Sequence, residues 1–392
     1  MSEKPVVYLD NNATTMVAPE VLEAMQPFFS QYYGNSSSMH AFGGRVKSHV
    51  EKAREQVAQG LGANPEEIVF TSCGTESDST AILSALHSFP TKRHVVTTRV
   101  EHPAVLNLGQ YLADRNYEVT FLPVDGKGNL DLQQVEASIR EDTAIVSVMW
   151  ANNETGVIFP VEEIARMAKA KGALFHTDAV QAVGKIPLHL STSSIDMLSL
   201  SGHKLHAPKG IGAIYIKKGT PFVPYLMGGH QERSRRAGTE NVPYIVGLGK
   251  AFELAGKNLT VENQKVRAMR DRLEQGLLKI DATILNGDMV NRLPNTSSIS
   301  FEYIEGESIL LLLSDHGICA SSGSACTSGS LEPSHVLRAM GVPFSAAHGS
   351  IRFSLSCYNT EADVDLALEL VPTIVERLRV ISPFWEKIRQ TA

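Results

Sequence analysis

Two residues placed at the ends of apolar runs could do covalent chemistry together. Ser201-Gly202-His203-Lys204 follows the run 197–200, and Pro208-Lys209-Gly210 comes shortly after. A lysine at a strand end, between glycine-containing turns, faces a cleft and can form a Schiff base with an aldehyde cofactor. Taken alone, it reads at least as well as a solvated charge in a turn. Asp178 shifts that balance. It closes the run Leu174-Phe175-His176-Thr177-Asp178, at the edge where α/β sheets hold ligands. A carboxylate there suits the protonated pyridine nitrogen of pyridoxal phosphate, which it strengthens as an electron sink. It would equally cap a helix beginning at 179. Gln181 can donate to the phenolic oxygen of such a ring, or simply face solvent.

Other segments could complete the site. Thr71-Ser72-Cys73-Gly74-Thr75-Glu76-Ser77 joins a strand-like run to a helical one. Glycine and hydroxyl residues at a helix start offer free N–H groups and a positive dipole end to a phosphate. Many such caps bind nothing, and no nucleotide-type glycine loop occurs. His102, in Glu101-His102-Pro103, could stack on a pyridine ring and move protons, or be an ordinary turn histidine. The basic run Arg233 to Arg236, leading to Thr239, is either solvated charge or a loop approaching phosphate. Cys326 sits in Ala320-Ser321-Ser322-Gly323-Ser324-Ala325-Cys326-Thr327-Ser328-Gly329-Ser330. Small polar neighbours mark an exposed thiol on a mobile loop, able to enter a site and carry an atom out. Cys73, Cys319 and Cys357 read as packing residues, with Cys73 bordering the phosphate turn. The thirteen histidines and four cysteines show no metal-ligand spacing.

The elements that must position these groups are legible as alternation. Runs at 95–98, 119–124, 145–149, 174–178, 197–201 and 213–216 read as strands, several apolar throughout. Helical stretches at 103–115, 130–140 and 161–171 lie between them. That order implies an α/β fold with a mainly parallel, doubly wound sheet. Beyond 242 the texture changes to a long charged helix toward 280, a strand at 297–301, and helices at 305–316 and 361–380. We read residues 16–257 as a large cofactor-binding domain. Residues 1–15 and 258–392 form a smaller α+β domain carrying the Cys326 loop. The chain has 392 residues, 43% hydrophobic and 20% charged, with a net charge of -6. Nothing in that charge pulls it toward nucleic acid or an anionic membrane. Free thiols and the absence of a secretion signal point to the cytoplasm.

Together the motifs resemble the cysteine desulfurases of the fold-type I, class-V group of pyridoxal-phosphate enzymes. The resemblance runs nearly end to end. It rests on Tyr8-Leu9-Asp10-Asn11-Asn12-Ala13-Thr14-Thr15, Gly34-Asn35-Ser36-Ser37, Gly74-Thr75-Glu76-Ser77 and Glu101-His102-Pro103. It continues through Asn152-Asn153-Glu154-Thr155-Gly156, His176 to Gln181, Ser201 to Lys204, Arg236 to Asn241, and the thiol loop. Cys73-Gly74-Thr75-Glu76 and Trp150 to Gly156 are most similar to the NifS type, linked to nitrogenase maturation.

This resemblance implies roles. Lys204 holds pyridoxal 5'-phosphate, His102 stacks on its ring, Asp178 pairs with the ring nitrogen and Gln181 with the ring oxygen. Gly74, Thr75, Ser201 and His203 hold the phosphate. Thr239 reaches in from a second subunit, implying a homodimer. Asn35, Asn153 and Arg352 position the substrate carboxylate, with Asn153 also beside the cofactor. The implied reaction takes sulfur from L-cysteine as a persulfide on Cys326 and leaves alanine. A thiol with a pKa of about 8.5 needs help to ionise, and His102 is one candidate base. The implied acceptor is an iron–sulfur scaffold of the U type. The free enzyme would hold no metal, with Cys326 touching a nascent cluster in passing. A selenocysteine lyase or an aminotransferase on the same scaffold would share the cofactor residues. A non-catalytic scaffold would not need Lys204, Asp178 and His102 together.

Overall fold

The structure, a computed structural model, describes residues 6–322 and 333–385. After a two-residue strand, β1 (Val7–Tyr8), the chain builds a seven-stranded sheet. Its strands are β2 (Ile68–Thr71), β3 (His94–Thr98), β4 (Glu118–Leu122), β5 (Thr143–Ser147), β6 (Leu174–Asp178), β7 (Met197–Ser201) and β8 (Gly212–Ile216). Across the sheet the order is β2-β8-β7-β6-β5-β3-β4. Every strand but the edge strand β4 is buried at each residue. Successive residues feed opposite faces, as the period-2 geometry of a strand requires. Val95, Ile145, Leu174 and Met197 enter the core under the helices Gly74–Ser88 and Pro103–Ala113. Val96, Val146, Phe175 and Leu198 enter the core shared with the helices Ala41–Leu61 and Val161–Ala170. Two covered faces bury the polar residues of these strands as well as the apolar ones, His94, Ser147, His176 and Ser199 among them.

The mainly parallel sheet expected from sequence is present, with one reversal. β8 runs antiparallel to both β7 and β2. The link from Ser201 to Gly212 is shorter than the roughly dozen residues a parallel crossover needs, so the chain must turn straight back. That link carries Lys204.

The helix Val242–Leu277 serves two cores. Ile245, Leu248 and Phe252 pack with the large sheet, whereas Met269, Leu273 and Leu277 pack with a second cluster. The second cluster covers an antiparallel sheet of β9 (Thr283–Asn286), β10 (Thr296–Phe301) and β12 (Ser350–Ser354), ordered β12-β10-β9. The helices Gly306–Asp315 and Glu361–Ile381 complete it. A short strand, β11 (Ile318–Cys319), pairs in parallel with β1. Val7 and Leu9 belong to this second core. Among the described residues no helix is long and apolar enough to cross a membrane.

Candidate active site

β2, β3, β5, β6 and β7 all point the same way, so their carboxyl ends share one edge of the sheet. The segments just past those ends enclose a cavity of about 360 Å³, within the roughly 300–1,000 Å³ usual for small-molecule sites. Gly74, Thr75, His102, Asn153, Asp178, Gln181, Ser201, His203, Lys204 and Arg352 all line it. Ten residues singled out from the sequence are thus brought together. Two are not: Asn35 and Thr239 are exposed and lie off this cavity. Thr239 borders a separate hollow of about 160 Å³, together with Thr71 and Ser72. Cys326 lies outside the described residues.

Asp178 is 6% exposed, and its Oδ1 accepts from Val180 N at 2.8 Å. Burial holds its carboxyl above the usual range, against the pull of His102 and Lys204. His102 caps the helix Pro103–Ala113: its Nδ1 accepts from Ala104 N at 3.2 Å. Nδ1 is therefore unprotonated, and a neutral ring carries its hydrogen on Nε2. Burial lowers the imidazole's pKa, so this form persists at neutral pH. His203 is drawn down further, to about 4, by burial and by Lys204.

Gly74 and Thr75 open the helix Gly74–Ser88, where backbone N–H groups lack intrahelical acceptors. One turn on, Asp78 is 1% exposed, and its Oδ1 has no hydrogen-bond partner among the described residues. That oxygen lies 3.7 Å from His176 Nε2. Burial and Asp178 keep the Asp78 carboxyl protonated well above its ordinary range. The basic loop is not simply solvated. Arg236 makes a two-bond pair with Glu76, at 2.9 and 3.2 Å, beside the phosphate-type turn.

A strap from the N-terminus crosses the site, and its part was not read from sequence. Lys204 Nζ donates to the carbonyls of Asn12 and Ala13, the latter at 2.7 Å. The Asn12 amide is tied to Asn153 O at 3.1 Å, Thr296 Oγ1 at 2.8 Å and Asn295 Nδ2 at 3.0 Å. These bonds fix the strap so that its carbonyls face the lysine. The only local signal was a pair of adjacent asparagines among small residues.

Arg352, on β12, is 3% exposed. It donates to Asn153 O at 3.0 Å and to Asp10 Oδ1 at 2.7 Å, while its Nε has no partner among the described residues. Asn152 shapes the turn below it, accepting from Glu154 N and Thr155 N, both at 2.9 Å. The three described cysteines are all partly exposed, and Cys73 lines the main cavity. Cys357 lines a neighbouring cavity, where burial and Glu262 push its thiol up to about 12.

Residues 323–332 join two points beside this cavity. Ser321 exchanges backbone hydrogen bonds with Arg352, at 3.2 and 2.6 Å. On the far side, His335 Nε2 bonds Glu101 O at 2.9 Å, and Ser334 Oγ donates to Glu154.

The aminotransferase class-V family matches residues 7–367. The sequence is 63% identical over 380 residues to a cysteine desulfurase of Trichormus azollae, spanning 97% of this chain and 95% of that protein. It is 60% identical over 381 residues to the cysteine desulfurase NifS of Azotobacter vinelandii, with 97% and 95% covered. The chain belongs to the cysteine desulfurase branch of the class-V aminotransferase family. A solved NifS-like protein superposes on this family member with a TM-score of 0.90 at 43% identity, covering 95% of this chain and 100% of that one. The fold is accordingly the fold-type I arrangement of class V.

Membership implies dependence on pyridoxal phosphate, and the groups present fit it. A buried carboxyl at Asp178, a lysine amine and a helix start with unpaired N–H groups line one cavity. Arg352 Nε adds a buried donor that no described protein atom satisfies.

Proposed function

We propose that this cavity takes the sulfur of L-cysteine onto Cys326 and releases L-alanine. The observation that carries the reading is the attachment of segment 323–332. It leaves the site beside Arg352 and returns beside Glu101, both at the cavity wall or its supporting turn. Cys326 stands four residues past Ser322, within roughly 14 Å of it at full extension.

Lys204 holds the cofactor, with Asp178 at the ring nitrogen, Gln181 at the phenolic oxygen and His102 over the ring. Asn153 lies alongside. Gly74, Thr75, Ser201 and His203 receive the phosphate. Bound there, pyridoxal phosphate supplies an electron sink that weakens the carbon–sulfur bond of cysteine. Arg352 takes the substrate carboxylate, for which a guanidinium fork is better shaped than an ammonium. Asn35, exposed and off this cavity, is not placed to reach that carboxylate from its own chain. The Lys204 amine would also move protons at the substrate carbons, and its place against the carbonyls of Asn12 and Ala13 fixes where it sits. The Cys326 thiolate attacks the substrate sulfur. A sulfur–sulfur bond forms, the carbon–sulfur bond breaks, and the carbon gains a proton to become the methyl of alanine. His102, with Nδ1 taken by Ala104 N and Nε2 as its protonated nitrogen, is suited to donate toward the cavity rather than to take the proton of the thiol.

Thr239, exposed and away from its own chain's cavity, completes the phosphate site of a second copy in a homodimer. The division into residues 16–257 and residues 1–15 with 258–392 is supported by the change of core along the helix Val242–Leu277. The enzyme works in the cytoplasm and passes sulfur to an iron–sulfur scaffold of the U type, serving nitrogenase clusters.

Mass spectrometry after incubation with L-cysteine tests the reading. One added sulfur on the peptide holding Cys326, with alanine released, is expected. Cys326→Ala should retain the cofactor's absorbance and form neither persulfide nor sulfide; full desulfuration by that variant would refute the assignment.

A further inference from the structure

The amide of Gln181 has two ends of opposite sense, and only the nitrogen end can donate to a phenolic oxygen. Which end faces the cavity is set by its neighbours. Lys185, four residues on, places Nζ 3.0 Å from Gln181 Oε1 and 3.1 Å from Gln181 O. Gln181 Nε2 is thereby turned the other way, donating to Asn12 O at 2.9 Å. That same carbonyl accepts from Lys204 Nζ. Reversing the amide would set its NH₂ group against the amine and its oxygen against the Asn12 carbonyl, losing both bonds. Gln181 is 4% exposed and lines the cavity, so water cannot easily stand in for either partner. Lys185 lies off that cavity, in a neighbouring one of about 280 Å³ that also reaches Lys204. Its own carbonyl is anchored by Asn263 Nδ2 at 2.7 Å. Burial draws the Lys185 amine down to about 7, but amine and ammonium alike have the two hydrogens that these oxygens take.

We infer that Lys185 is a positioning residue, which locks the Gln181 amide with its donor end toward the cofactor's phenolic oxygen. The inference rests on the placement of Gln181 at that oxygen under the proposed function. One Gln181 N–H is used by Asn12, and the second is the one presented to the ring. Lys185 touches neither cofactor nor substrate and acts through the amide alone.

The readout is the pH midpoint of the imine absorbance of the holoenzyme, which a purely structural residue would not move. A donor on the phenolic oxygen draws charge away from the imine proton. Losing that donor leaves the proton more tightly held and raises the midpoint. Lys185→Met should raise it by about one to two units, the size of one hydrogen bond to a charged oxygen. Gln181→Met should raise it at least as far, and the double variant no further than Gln181→Met. Should Lys185→Met not fold, Lys185→Leu, which likewise offers no donor to either oxygen, carries the same expectation. A parental midpoint in the Lys185 variants, beside a shifted one in Gln181→Met, overturns the inference and leaves the cofactor reading intact. So does a Lys185 effect that adds in full to that of Gln181. An unmoved midpoint in Gln181→Met would instead remove Gln181 from the phenolic oxygen, and the inference with it.

Discussion

Glu101 supports the turn that presents His102, and replacing it by glutamine should change how stability depends on pH. The side chain is fully buried. Its Oε1 accepts from Thr98 Oγ1 at 2.8 Å and from Met149 N at 3.0 Å. Its backbone carbonyl bonds His335. Burial pushes the carboxyl up from 4.5 to about 8, the Asp178 charge adding to it and the two hydrogen bonds opposing it. The acid is therefore neutral in the folded protein at pH 7, while in the unfolded chain it is ionised. Stability from this group is fully present below about pH 4.5 and is lost as pH rises toward 8. At about 1.4 kcal/mol per unit, the interval comes to about 5 kcal/mol. Glu101→Gln keeps an acceptor for both donors and cannot ionise. The parent should lose about 1.4 kcal/mol per pH unit relative to the variant between pH 5 and 8, with little difference below pH 5. Urea unfolding of both proteins at pH 5, 6, 7 and 8 measures this. Other buried carboxyls, such as Glu154, are present in both and largely cancel. Parallel stability profiles would show that Glu101 keeps its proton no more firmly in the folded state than in the unfolded one.

Three further outcomes follow from the site. Arg352→Lys keeps charge but loses the fork, and should lower kcat/KM for L-cysteine by about a hundredfold, mostly through KM; alanine release with an unchanged KM would place the carboxylate elsewhere. At Gly212 an added Cβ would stand 2.6 Å from Leu200 O and 3.0 Å from the carbonyl carbon of Cys73. Gly212→Ala must therefore push the Cys73–Gly74 turn outward, costing about 2 kcal/mol or more and loosening the cofactor; thermal unfolding and retention on dialysis report the two effects. Lys204→Ala should abolish turnover and remove the borohydride-sensitive absorbance of the parent, and persistent turnover would exclude Lys204 as the carrier.

The sequence by itself determined most strands of the large sheet and the helices between them, because buried strands are rich in apolar residues and Pro103 marks a helix start; the covering helix Ala41–Leu61 was not read from it. The ends of those strands also marked Asp178, Lys204, His102 and the Gly74 turn, since carboxyl-end loops are where such sheets place polar groups. What it did not determine was direction and reach across the chain. The antiparallel course of β8 depends on a turn whose length only matters once β7 is in place. The carbonyls of Asn12 and Ala13 meet Lys204 across nearly two hundred residues, held by amide bonds that no local pattern announces. The neutral state of Glu101 and the unpaired oxygen of Asp78 come from burial, a property of the packed whole. Tertiary structure also separated Asn35 from the cavity that its motif had suggested it share. Local sequence sets which groups are polar and where chains turn; only packing decides which of them lose water and which partners they then find.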